Sequence, residues 1–143
     1  MATYNKFQDV VEQLGLGKHN LNTDVLNVYL SNATPSASLD AIKTDLAEIT
    51  NQNGYTAPVD TQNTWAEATG TGTLTGTKVV ITASGGTVGP FQYVVLYNDT
   101  QTSPVDPLIA WWDYGSAITL NAGESFSIKF NNSDTTGSIL TLA

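Results

Sequence analysis

The sequence predicts a mainly β protein: an antiparallel β-sandwich of jelly-roll type, with about eight strands and two short helices in the N-terminal third. Three observations carry that expectation. Between Gly85 and Phe130 the chain holds its densest β-branched and aromatic runs, cut at short intervals by Gly, Pro, Asn and Asp. Within that stretch Phe91 to Tyr97 and Leu108 to Trp112 are near-continuous apolar runs, as expected of strands buried on both faces. Ile118 and Leu120, then Phe126, Ile128 and Phe130, alternate with small polar residues, the period of half-buried strands.

In chain order, Asn5 and Gln8 have the spacing of a capping box, and Phe7, Val10, Val11 and Leu14 follow as one helical stripe. Gly15 and Gly17 end this element, so residues 1–17 are expected to form a short helical arm. A helix of about ten residues is marginal alone, so its apolar stripe must dock on its own sheet or on a neighbour. Asp24 to Leu30 alternates as a strand that Pro35 closes off. Ser38 is placed to cap a second helix through Leu39, Ile42, Leu46 and Ile49, ended by Asn51 to Gly54.

From Ala57 to Gly76 the composition turns to Thr, Gly, Asn and Ala, with Trp65 as the one large anchor. Thr favours strands, so one or two exposed strands are expected there in place of a flexible spacer. Thr77 to Ala83 is a firmer strand, Asn121 to Glu124 a hairpin-type connection, and Ile139 to Leu142 a last short strand. The whole of 1–143 reads as a single β-sandwich domain, long enough to bury about 70% of its unfolded surface.

The charge balance narrows function. Thirteen acidic residues face five Lys and no Arg, a net charge of −8. A protein that grips phosphates needs a basic stripe, so nucleic acid is not an expected partner. The first residues lack an apolar leader core, and no run approaches the ~20 apolar residues of a membrane span. Synthesis and folding in a cytoplasm, with no membrane partner, are the expectation. With no Cys, the fold relies on packing.

Chemistry has few candidates. His19 is the lone histidine, placed in a loop, and no Ser sits in a nucleophile elbow. Asp99, Asp106 and Asp113 cluster around two adjacent strands and are the carboxylates to consider for acid–base work. The loop from Asn98 to Asp106 is rich in oxygen donors but lacks the glycine and terminal glutamate of an EF-hand. Gly70, Gly72 and Gly76 lack the Lys-Ser/Thr that follows a phosphate cradle. No catalytic residue, cofactor or metal ligand is therefore expected. Trp111 and Trp112 are neighbours, so on a strand they point to opposite faces: one fills the core, and the other is either covered by the domain as well or exposed to anchor a partner or stack on a sugar.

The segments GPFQYVVLYNDT, DPLIAWWDYGS, ITLNAGESFSIKF and ILTLA resemble a family of small proteins encoded among bacteriophage structural genes. The opening KFQDVVEQLGLGKHNLNTDVLNVYLSNATPS and the later DLAEITNQNGYTA are similar to the same family, so the likeness spans the chain apart from Thr61 to Gly76. The resemblance implies a non-enzymatic virion structural protein, best placed as a capsid decoration (cement) protein on the outer face of the major capsid protein, itself a dimer or trimer. The alternative is a tail or fibre component that binds host-surface glycan. The candidate interface is Phe7, Val10, Val11, Leu14, Trp111 and Trp112.

Overall fold

The structure is a computed structural model and describes residues 2–143. It is mainly β, with ten strands in three antiparallel sheets and one α-helix, an arrangement compatible with a β-sandwich. The largest sheet has the order β1-β8-β7-β2-β3, from Thr3–Lys6, Leu108–Leu120, Val88–Asn98, Leu26–Ser31 and Val59–Asp60. A second has the order β10-β5-β4, from Thr136–Leu142, Thr71–Thr77 and Thr64–Ala68. The third pairs β6, Val79–Thr82, with β9, Ser125–Ile128.

Both faces of the five-stranded sheet are covered, which is why its central strands lack a polar side. Leu26, Val28, Leu30, Val94 and Leu96 meet Leu74, Val79, Ile81, Ile128 and Ile139 of the smaller sheets in the main core. The intervening residues Tyr29, Tyr93, Val95 and Tyr97 form a second core with Phe7, Leu46, Leu108 and Trp111. Period-two alternation thus persists inside an apolar run, with both phases buried. Ile109 is the extra residue of a bulge, since Leu96 pairs with Ala110 and Tyr97 with Leu108.

The N-terminal helix differs from expectation. Asn5 is not a helix cap: it lies in β1, opposite Trp111 of β8. The α-helix, α1, spans Asp9–Gly15, only seven residues, and its cap Gln8 makes no side-chain capping bond. Strand pairing supplies the hydrogen bonds of residues 3–6 and seats Phe7 against the Trp111 ring, 4.5 Å between centroids. Residues 3–15 are therefore built into the body, not held out as an arm.

The second helix is absent as well. Residues 36–49 run as a loop with one 3-10 turn, Lys43–Asp45. Local side-chain bonds fix turns there in place of a helix: Asp40 Oδ2 accepts from Ser36 N–H at 2.7 Å, and Asp45 Oδ2 from Ala41 and Ile42 N–H at 2.9 and 3.0 Å. Leu46 caps the second core while Leu39 is 81% exposed, so the helical spacing of these residues has no common face to serve.

The Thr/Gly region forms three strands, β3, β4 and β5, against the one or two exposed strands expected; β4 is largely exposed, but β5 is half-buried, with Gly72, Leu74 and Gly76 inward. Among the described residues the strands number ten, above the expected eight. Asn121 to Glu124 makes a tight turn, with Glu124 Oε2 accepting from Asn121 N–H at 2.7 Å. It is not a hairpin, because β8 and β9 belong to different sheets.

Candidate functional site

Two unjoined strand edges define the site. β1 ends the five-stranded sheet and β10 ends the three-stranded one, and no ladder joins them. Between them lies an apolar cleft of about 630 Å³ lined by Tyr4, Lys6, Val10, Val11, Leu14 and the run Ile139–Leu142. Tyr4 and Ile139 also line a second hollow of about 260 Å³ with Trp112, Asn131 and Asn132. Beyond Trp112 a third, of about 250 Å³, is walled by Tyr114 and Phe126. The three share lining residues and form one groove along the open side of the sandwich.

Aromatic rings set the groove's shape. Trp112 packs edge-on against Tyr4 at 5.6 Å and tilts over Phe130 at 5.4 Å. Tyr114 meets Phe126 at 6.0 Å, and Phe126 meets Phe91 at 5.0 Å, which ties the outer rings to the core. Tyr4 and Tyr114 are exposed at 39% and 53%. Burial raises the Tyr4 phenol above its ordinary range, so it is a neutral donor at physiological pH.

The adjacent tryptophans divide as strand geometry requires. Trp111 is buried in the second core beside Phe7, and neither is available as a contact. Trp112 is half-buried and stands in the groove. Of the α1 stripe, Val10 is buried in the main core, Leu14 is half-buried, and Val11 is 56% exposed. Of the six residues expected at an interface, Val11, Leu14 and Trp112 are the ones half-buried or exposed in the groove, beside Tyr4, Tyr114, Phe126 and Leu142. Tyr4 has no apolar pattern around it in sequence, and Leu142 reads only as the end of the last strand; the closing of the sheets places both here.

The groove differs in charge from the rest of the protein. Among the described residues its charged lining residues are Lys6 and Lys129, and no acid lines it. Lys129 Nζ is held by Asp134 at 2.6 Å, a pairing that keeps the Asp134 carboxyl below the usual range. Among the described residues Lys6 makes no ion pair.

His19 is not an ordinary loop residue. It is buried, and its Nδ1 lies 3.0 Å from Asn98 Nδ2, which also donates to Asp24 Oδ2 at 2.7 Å. An amide nitrogen only donates, so Nδ1 accepts and the proton sits on Nε2. Burial lowers the His19 pKa against the opposing pull of Asp24 and Asp9. The cluster ties the loop after α1 to the end of β7.

Asp99 and Asp106 approach one another across the loop after β7; burial and then Asp99 raise the Asp106 carboxyl, and Lys43 opposes them. Neither lines the groove. Asp113 is elsewhere, on β8, where Oδ1 accepts from Gln92 Nε2 at 3.0 Å and Gly115 N–H at 2.7 Å. Asn98 turns inward to His19, so it does not share a centre with Asp99 and Asp106. Among the described residues no three acids, histidines or cysteines converge on a metal-sized site.

Against known protein families, curated proteins and solved structures, the chain matches none. Among the described residues no helix is long and apolar enough to cross a membrane.

Proposed function

We propose that this chain is a non-enzymatic bacteriophage virion protein that decorates the capsid, docking on the outer face of the major capsid protein through the groove between β1 and β10. The observation that carries this reading is the open apolar groove around Tyr4, Val11, Trp112 and Leu142 on an otherwise acidic protein. Exposed apolar residues gathered in one groove favour a protein contact, and the largest of them are aromatic, as binding anchors tend to be. The acidic, Arg-free composition favours the capsid exterior over its DNA-lined interior. The whole-chain resemblance to phage structural proteins supplies the virion setting and the expectation of a dimer or trimer.

The jelly-roll form belongs to the same proposal. β1 pairs with β8 and β2 with β7, the nested pairing of a rolled hairpin, although β7 and β8 also pair directly.

A test is incorporation of variants into particles. Val11→Asp and Leu142→Asp, both at exposed positions, are expected to fold normally and to be lost from purified capsids. Asp99→Ala, Asp106→Ala and Asp113→Ala are expected to leave assembly intact. Normal incorporation of both groove variants contradicts the docking face, and turnover of an ester or glycan abolished by one of the Asp changes contradicts the non-enzymatic reading.

One observation favours a second reading, a tail or fibre component that binds host-surface glycan. The half-exposed Trp112 ring shares its hollow with Asn131 and Asn132, an apolar platform beside amide donors and acceptors.

A further inference from the structure

The groove has a property that side chains alone do not describe: one wall is an unpaired strand. The Phe7 N–H donates to the Ile109 carbonyl at 3.2 Å, and β1 continues in register with Lys6 opposite Ala110 and Asn5 opposite Trp111. In an antiparallel ladder bonded and non-bonded positions alternate. Phe7, Asn5 and Thr3 thus spend their backbone groups on β8, while Tyr4 and Lys6 turn theirs outward, toward the cleft. Among the described residues no other backbone segment takes up the Tyr4 or Lys6 amide. The opposite wall is the run Ile139–Leu142 of the edge strand β10.

We propose that this seam accepts an extended segment of a partner polypeptide as an added strand on β1, with apolar side chains at alternate positions entering the cleft and a carboxylate beside Lys6. This rests on reading the groove as a binding face, and it specifies the partner's chemistry. A row of outward N–H and C=O groups is matched by another extended backbone, and pockets below it select every second side chain. The cleft floor, from Tyr4 to Leu142, is apolar. Lys6 stands at its rim without an acid, so an acidic residue in the incoming segment completes the charge pattern. A second copy fits less well. Each copy carries −8, pairing β1 with β1 leaves Lys6 without a countercharge, and a folded edge leaves the apolar floor unfilled.

The test uses the full chain and a library of ten-residue peptides as probe. Selection is expected to enrich peptides with alternating apolar residues and an Asp or Glu, and their binding is expected to protect the Tyr4 amide from hydrogen exchange. Lys6→Pro removes one outward donor while leaving the bonds to β8, so it is expected to weaken binding by about tenfold or more. Lys6→Glu keeps the backbone donor and is expected to shift the enriched peptides from acidic to basic at one position, which holds the test open should the proline variant misfold. Three results overturn the proposal: no enrichment; binding that survives Lys6→Pro but disappears in Trp112→Ala, which assigns the groove to a ligand held by side chains, such as a glycan; or concentration-dependent self-association abolished by Lys6→Pro, which assigns the edge to a second copy. None of these depends on where the protein sits in a particle, so failure here and failure of capsid incorporation are separate outcomes.

Discussion

The side-chain amide of Asn98 bridges His19 Nδ1 at 3.0 Å and Asp24 Oδ2 at 2.7 Å, joining the end of β7 to the loop after α1, far apart in sequence. Removing it leaves the buried His19 Nδ1 without a partner and takes one donor from Asp24 Oδ2, which still accepts from Asn20 N–H at 2.9 Å. Asn98→Ala is expected to destabilise the protein by about 1–3 kcal/mol in urea unfolding, the range for a buried polar group left unpaired.

The same cluster predicts a pH dependence. With its pKa lowered in the folded state, His19 stays neutral where the unfolded chain is already protonated. The unfolded state then binds more protons, so stability is full above the ordinary histidine pKa of about 6.5 and falls as pH drops below it. Between pH 7 and the lowered folded pKa, wild type is expected to lose stability that a His19→Gln variant retains. Unfolding midpoints across that range check it; equal slopes in the two proteins contradict the assignment.

Gly72 is needed by Trp65. A Cβ at residue 72 would overlap the six-membered ring of the Trp65 indole, which packs against Gly72 of β5. Gly72→Ala is expected to push the ring off the main core and cost about 1–3 kcal/mol, as overpacking does. The readout is the urea midpoint together with a shift in tryptophan fluorescence.

Val10 and Val11 separate self-packing from docking within one turn of α1. Val10→Ala opens a hole in the main core and is expected to cost about 2 kcal/mol. Val11→Ala, at an exposed position, is expected to stay within about 0.5 kcal/mol of wild type while weakening any partner contact. Thermal unfolding of the two variants side by side distinguishes them.

These residues also show how far the sequence could be read. The central strands were legible because β-branched and aromatic runs leave few alternatives, and the split of Trp111 from Trp112 follows from strand geometry alone. The helices were harder. Phe7, Val10, Val11 and Leu14 do have helical spacing, yet pairing of residues 3–6 with β8 outweighs a capping box at Asn5, and only Val10 and Gln13 are buried in α1. Likewise the spacing of Leu39, Ile42, Leu46 and Ile49 carries no knowledge of Asp40 and Asp45, whose carboxylates fix local turns. The His19 cluster depends on a contact between distant loops, which no local pattern announces. The groove was half visible, through Val11, Leu14 and Trp112; Tyr4 and Leu142 join it only once β1 and β10 face each other.

Decoration of a capsid lattice, as proposed for this chain, makes a direct demand on stoichiometry. A decoration protein occupies a repeated site, and several modest contacts on one oligomer then hold through effective concentration. The decisive measurement is the amount of this chain relative to the major capsid protein in purified particles, before and after tails are sheared off. Decoration predicts comparable abundance that stays with tailless heads. Scarce copies that leave with the tails contradict it and favour the glycan-binding alternative.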